Sequence, residues 1–355
     1  MEITITKAAT LKPHPDDSNL QFGIHFTDHM FQMDYHKEKG WHSPRIEPYG
    51  PIPMEPSTMV LHYGQAIFEG LKAYRTARAS IQLFRPKDNF RRFNRSARFL
   101  CIPQIDEAFA LEALTKLLVL EQSWVPSAPG TSLYIRPTII AFDPYLGVRA
   151  SHTYRFFIIL SPVGAYYPEG FNPVKIWVTT THVRAVRGGM GEAKTPGNYA
   201  ASLYAGEQAH EQGYTQVLWL DGVERRYVEE VGSMNIFFVI DGKLVTPALN
   251  GSILPGLTRD SVIRLAGHWG IPLSERPITI EEVFDAHKAG NLQEVFGTGT
   301  AAVVSPVGEL KYADRVIRIG NGSAGPLARK FYDAITDLQY GNAEDTFGWV
   351  YPVTQ

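Results

Sequence analysis

Arg187-Gly188-Gly189-Met190-Gly191-Glu192-Ala193-Lys194-Thr195-Pro196-Gly197-Asn198-Tyr199 is the stretch from which the rest of the chain is read. Lys194 is a lone amine among glycines, with Tyr199 shortly after it. Such an amine holds a phosphate as a point charge or attacks a carbonyl as a nucleophile. A phosphate loop needs G-x-x-x-x-G-K-[ST] straight after a buried strand. Gly188 fits the first glycine, but Ala193 occupies the second, and the strand-like run Val174 to Thr180 ends too early for a tight turn. No acidic Walker-B strand accompanies it, so the nucleophile reading carries more weight.

A lysine that forms a Schiff base with pyridoxal phosphate needs an acid for the pyridine nitrogen and an anchor for the phosphate. Glu229 or Glu230, just ahead of Gly232-Ser233-Met234-Asn235, can be the acid. Two segments suit a phosphate. Pro255-Gly256-Leu257-Thr258 opens a helix, whose N–H groups and dipole favour an anion. Gly297-Thr298-Gly299-Thr300 is small and hydroxyl-rich, so backbone there can approach a phosphate closely. With a single cysteine there is no C-x-x-C spacing, and no metal site is expected.

The spacing predicts strands at Phe22–Phe26, Met59–Gly64, Ala66–Arg75 and Ser80–Phe84. Residues 87 to 100 switch to helical period, with Phe90, Phe93, Ala97 and Leu100 on one face and Arg91, Arg92 and Arg95 beside it. Asp106–Gln122 is a second helix, and Leu133–Ile140 and Tyr154–Leu160 complete a sheet. Pro162 to Gly170 carries turn residues at both ends and reads as a linker. Beyond it come a strand at Lys175–Thr181, a helix at Asn198–Gln212 stopped by Gly213, and a strand at Gln216–Leu220. A hairpin turns through Asp241-Gly242, and Thr279–Glu282 is a capping box. These elements predict an α/β (α+β) chain of two domains. The small N-terminal domain spans residues 1–162, a linker 163–173, and a larger domain 174–355.

The chain has 355 residues, of which 44% are hydrophobic and 20% charged, enough for two sizeable cores. A formal net charge of −2 without a basic stripe argues against nucleic acid as a partner. One cysteine, Cys101, excludes an internal disulfide. With no signal peptide or membrane-length apolar run, a cytoplasmic protein is expected. Cys101 itself is expected to be a small core residue.

At this point the residues carry a resemblance. Leu61 to Gly70 followed by Phe84-Arg85-Pro86, Gly130 to Pro137, Lys194 to Tyr199, Glu230 to Asn235, Leu249 to Gly256 and Phe296 to Ala301 resemble the branched-chain amino acid aminotransferases. The likeness runs in colinear order over roughly residues 20 to 350. It implies a fold-type IV pyridoxal-phosphate enzyme with a small α/β domain, a larger pseudo-barrel domain and a homodimer. By position, Lys194 matches the Schiff-base lysine, Tyr199 the partner of the cofactor's phenolic oxygen, and Glu230 rather than Glu229 the carboxylate on the pyridine nitrogen. Arg92, Ser233, Leu257, Thr258 and Thr300 match cofactor-binding residues, Arg92 as the phosphate arginine. Phe26, Tyr63, Phe68, Tyr134, Arg136, Tyr166 and Ala301 match the substrate pocket, and Val148 a residue reaching over from the partner subunit. Some mammalian relatives carry a Cys-x-x-Cys pair where this chain has Ala302 and Ser305, so thiol regulation is not implied.

The resemblance implies transfer of an amino group between leucine, isoleucine or valine and 2-oxoglutarate. Aromatic walls suit the aliphatic side chains, and the phenols with Arg136 suit the distal carboxylate of glutamate. Within the same fold, a D-amino-acid aminotransferase or an aminodeoxychorismate lyase is the rival. A catalytically dead binding module is the rival from another class.

Overall fold

The computed structural model describes residues 1–164 and 171–354. The first strands and helices are β1 (Thr4–Ile5), β2 (His29–His36), β3 (Gly40–Pro48), α1 (Met59–Tyr63), β4 (Ala66–Phe68), β5 (Leu71–Arg75) and β6 (Ile81–Phe84). Then come α2 (Pro86–Phe99), α3 (Glu107–Leu120), β7 (Ser132–Ala141), β8 (Thr153–Val163) and β9 (Val174–Val178). They are followed by α4 (Pro196–Ala200), α5 (Leu203–Glu211), β10 (Gln216–Leu220), β11 (Val228–Val231), β12 (Met234–Ile240) and β13 (Lys243–Thr246). The chain closes with α6 (Leu257–His268), β14 (Leu273–Glu275), α7 (Ile280–Lys288), β15 (Leu292–Gly299), β16 (Val303–Tyr312), β17 (Arg315–Arg318), α8 (Pro326–Tyr340) and β18 (Val350–Val353).

The chain folds into two compact units. The first comprises Met1–Tyr166, Ala193–Pro196 and Asp337–Gln355; the second comprises Tyr167–Glu192 and Gly197–Thr336. The first unit thus takes the short Lys194 segment and the chain's end. The end belongs there because β18 pairs antiparallel with β6, matching Val350 with Phe84.

In the first unit nine strands form one sheet, ordered β1-β3-β2-β8-β7-β5-β6-β18, with β4 on β7. Side chains alternate across a strand. Leu133, Ile135, Ile139 and Ala141 of β7 therefore join one core with Leu71, Ala73 and Leu83, together with Phe90 and Phe93 of α2 and Leu114 and Leu117 of α3. Full burial of a phenylalanine contributes roughly 2–3 kcal/mol. The Phe90 and Phe93 side chains thus fasten α2, and with it Arg92, to the sheet.

The second unit's sheet closes on itself. β10 pairs with β9 and β11, β9 with β16, β16 with β15, and β15 with β12, which returns to β11. This ring is the expected barrel-like core. The Asp241-Gly242 hairpin is present, with φ of 51° and 72° at its two central residues. Thr279 caps α7 by accepting from the Glu282 N–H.

Several local expectations give way. Met59–Gly64 is not a strand but the short helix α1, ended by Gly64 at φ 62° with its N–H on Val60 O. A short apolar run is ambiguous by period alone, and Leu61 and Tyr63 turn out exposed. Phe22–Phe26 forms no strand; Phe26 stacks on Tyr49 instead. The run Ala66–Arg75 is two strands, not one. Both pair with β7, and the break at Glu69-Gly70 faces Arg136-Pro137. Pro137 has no N–H to give; it only accepts, from Glu69 N at 2.8 Å. Asn198–Gln212 splits into α4 and α5, where the Ser202 hydroxyl donates to Tyr199 O at 2.6 Å and competes with the helical backbone. Gly297–Gly299 lie inside β15, with Met234 filling the space above both glycines. Cys101 is exposed, at φ 54° just past α2, so it is no core residue.

Candidate functional site

In the first unit the Ala193–Pro196 segment lies along β4. Lys194 N donates to Ser96 Oγ of α2 at 2.9 Å, Phe68 N donates to Lys194 O at 3.0 Å, and Thr195 Oγ1 donates to Ala66 O at 2.8 Å. The backbone on both sides of the amine is therefore fixed. Lys194 Nζ stands 5.0 Å from the Phe68 ring centroid, and the Arg136 guanidinium stands 4.7 Å from the same ring. Arg136 Nη2 donates to Tyr134 Oη at 3.0 Å. That phenol lies so close over Gly70 that a Cβ there would collide with it.

The strand break at Glu69 brings a second group into this cluster. Glu69 is fully buried and receives both arms of Arg92, Nε at 2.7 Å and Nη2 at 2.9 Å. Asn89 Nδ2 donates to the same carboxylate at 2.8 Å. Burial alone would raise this carboxyl. The Arg92 charge and hydrogen bonds, helped by Lys194 and Asn89, outweigh it and hold Glu69 below the ordinary carboxylate range. Glu69, Asn89 and Ser96 were given no role from the sequence. The signal for Glu69 was present, as an acid flanked by an aromatic and a glycine inside an apolar run.

In the second unit Glu229 and Glu230 are neighbours on β11, so they point to opposite faces. Glu230 is ion-paired with Arg184 and accepts from Asn235 Nδ2 at 3.2 Å and Leu254 N at 3.3 Å. Glu229 accepts from neutral donors, the Ser252 hydroxyl and Asn250 Nδ2. Burial pushes the Glu229 carboxyl up despite those bonds. Of the two, Glu230 is thus the one in direct contact with a cation.

Asn235 ties this carboxylate to the start of α6. Its Nδ2 also donates to Leu254 O at 2.9 Å, and a Cβ on Gly256 would collide with its Oδ1. Gly256 is the N-cap of α6 and has no side-chain oxygen to cap it. Leu257 and Thr258 form the first turn, where backbone N–H groups and the helix dipole suit an anion. Thr298 pairs with Asn235 across the sheet, and its buried hydroxyl has no hydrogen-bond partner among the described residues. A glycine cradle, an orphaned hydroxyl and a cation-held carboxylate in one unit fit a ligand with a phosphate and a basic ring nitrogen.

The remaining expected residues are distributed more widely. Tyr199 is in α4, half-buried, and Ser233 is exposed between β11 and β12. Thr300 and Ala301, just past β15, are half-buried. Tyr63 is exposed, donating its hydroxyl to Leu146 O, and Val148 is exposed on the same loop. Among the described residues, Tyr63 bonds Leu146 and Phe26 stacks on Tyr49 rather than on a member of the Lys194 cluster. Tyr166 lies outside the described residues.

The model of the family described as amino-transferase class IV matches residues 66–310. The chain is 59% identical to branched-chain-amino-acid aminotransferase 2 of Bacillus subtilis (strain 168), over 98% of this chain and 96% of that protein. Its fold is similar to that of Escherichia coli branched-chain amino acid aminotransferase, with a TM-score of 0.77 at 28% identity over 92% of this chain and 99% of that one. It is also similar to the T.th. branched-chain amino acid aminotransferase complexed with N-(5'-phosphopyridoxyl)-L-glutamate, with a TM-score of 0.73 at 28% identity over 91% and 98% of the two chains. The chain belongs to the class IV aminotransferases.

Proposed function

We propose that the protein is a branched-chain-amino-acid aminotransferase. It moves the amino group reversibly between L-leucine, L-isoleucine or L-valine and 2-oxoglutarate, with pyridoxal 5'-phosphate on Lys194. The observation that carries this is the fixed backbone of Lys194, held by Ser96 and β4 beside Phe68. The cofactor, when bound, supplies the electron sink that accepts charge from the substrate Cα. Lys194 takes the Cα proton and returns it one position away, as general base and then general acid. Glu230, ion-paired with Arg184, is the carboxylate that keeps the ring nitrogen protonated. Tyr199 bonds the phenolic oxygen. Arg92, Thr300 and the first turn of α6 at Leu257 and Thr258 hold the phosphate, and Ser233 is a further cofactor-binding residue. Glu69 positions Arg92 by accepting from its Nε and Nη2.

Phe26, Tyr63, Phe68, Tyr166 and Ala301 line the aliphatic pocket, with Tyr134 and Arg136 for the distal carboxylate of glutamate. An interdomain linker at residues 163–173, a homodimer in which Val148 reaches the partner's pocket, and a cytoplasmic role in branched-chain amino acid metabolism complete the reading. The homodimer is supported by the apolar side chains Leu61, Tyr63, Tyr145, Leu146 and Val148, all exposed on the first unit. The single free cysteine supports a reducing compartment, and no helix of the described residues is long and apolar enough to cross a membrane. Keto-acid formation from L-leucine but not D-alanine tests the proposal; the reverse preference would assign the chain to a D-amino-acid aminotransferase.

A further inference from the structure

A row of buried polar side chains crosses the first unit's sheet. Lys72 of β5 is the cross-strand partner of Tyr134 of β7, which in turn pairs with Ser161 of β8. Directly opposed residues project from the same face. Leu71, Ala73, Leu133, Ile135 and Leu160 belong to the apolar core, so that face is taken. Lys72, Tyr134, Arg136 and Ser161 therefore share the other face, the one on which Tyr134 lies over Gly70 and Arg136 meets Phe68.

Lys72 is 8% exposed and Ser161 is 4% exposed. Buried polar atoms are nearly always hydrogen-bonded. Here Ser161 Oγ and Arg136 Nε have no hydrogen-bond partner among the described residues. Arg136 directs only Nη2 at Tyr134. An ammonium, a guanidinium with an unmet N–H, a phenol and an unmet hydroxyl on one sheet face complement a carboxylate, whose two oxygens accept from several donors at once. Burial pushes the Lys72 amine down to about 8, and an anion beside it restores the charged form.

We propose that Lys72 and Ser161 act with Arg136 as the subsite for the distal carboxylate of the dicarboxylate substrate. Lys72 thereby sets the balance between glutamate and aliphatic amino acids. The proposal rests on the aminotransferase reading above and adds two residues to it. Leucine carries no distal charge, so its binding is indifferent to both side chains.

The test is single-turnover kinetics of the holoenzyme with L-glutamate and with L-leucine, read on the cofactor's absorbance. Lys72→Met should raise the KM for glutamate by about tenfold while leucine parameters stay within about twofold. Lys72→Arg should recover most of the glutamate affinity. Ser161→Ala removes a hydroxyl without a described partner, so it should raise the glutamate KM several-fold without lowering the thermal midpoint. Because it leaves the fold's contacts intact, it keeps the proposal testable where Lys72→Met fails to fold. Equal losses with both amino acids, or a glutamate KM unchanged in the variants, would overturn the proposal. Wild-type protein inactive toward both amino acids would overturn the aminotransferase reading, and this proposal with it.

Discussion

Two adjacent carboxylates on β11 are told apart by their partners. Glu230 has the Arg184 guanidinium; Glu229 is bonded to a hydroxyl and an amide. Glu230→Gln should therefore slow Cα proton loss by a few kcal/mol of barrier, about tenfold in rate per 1.4 kcal/mol, with cofactor still bound. Glu229→Gln should change the rate far less, because burial already biases that carboxyl toward its neutral form. Stopped-flow loss of the bound cofactor's absorbance with L-leucine measures both; a crippled Glu229→Gln beside a healthy Glu230→Gln would reverse the assignment. Glu69 offers a second test at this scale. Removing one partner of a buried ion pair costs about 3–5 kcal/mol, so Glu69→Gln should lower the thermal midpoint. It should also weaken pyridoxal-phosphate retention, measured by equilibrium dialysis. Unchanged retention would deny Glu69 its role behind Arg92. From sequence Lys194 and the Glu229-Glu230 pair were legible as candidates because each stands in a compact, distinctive stretch, and the resemblance chose Glu230. Glu69, Ser96 and Arg184 were not, because their partners lie far off along the chain and only folding brings them near.

At the level of elements, the start of α6 and the turn before β11 carry the predictions. A Cβ on Gly256 would strike Asn235 Oδ1, and Asn235 in turn holds Glu230. Gly256→Ala should therefore weaken cofactor binding more than it lowers the thermal midpoint, a difference that dialysis and calorimetry together reveal. Asp221 follows β10 and accepts backbone N–H bonds from Val223, Glu224, Arg226 and Tyr227. Burial would raise this carboxyl, but those bonds bring it down from 3.8 to about 2. A depressed folded pKa gives stability that is present above the unfolded value and lost as pH falls through the folded one. Asp221→Asn should cost about 2 kcal/mol at neutral pH, and the gap to wild type should close between about pH 4 and pH 2. A gap independent of pH in urea titrations would contradict this. Helices α2, α3, α6 and α7 and the Asp241-Gly242 hairpin were readable, because apolar period, caps and turn residues agree there. The helix at Met59–Tyr63 and the break at Glu69-Gly70 were not. The first is a five-residue run too short to show a period, and the second depends on a proline in the strand opposite.

For the whole molecule, the chain's last strand completes the first unit's sheet beside β6. Deleting residues 337–355 should destabilise that unit, exposing the β6 edge and the buried Trp349 site; a truncated chain with an unchanged thermal midpoint would refute the pairing. The exposed apolar side chains around Leu61 and Val148 make a second, assembly-level expectation. Light scattering should give twice the 39.7 kDa of the chain, and Leu146→Asp should shift the mass toward one copy. The barrel of the second unit was foreseen only through the resemblance; β11 and β12 join in a local hairpin at Gly232-Ser233, but no local pattern announces that β9 pairs with the distant β16 to close the ring. The proposed amino transfer runs through Lys194, whose backbone is clamped by Ser96 and Phe68. Its most direct test is borohydride reduction of the yellow holoenzyme followed by peptide mapping. A pyridoxyl adduct on the peptide carrying Lys194, and loss of colour, is the expected result; an adduct on Lys72 or any other lysine, or no adduct at all, would contradict it.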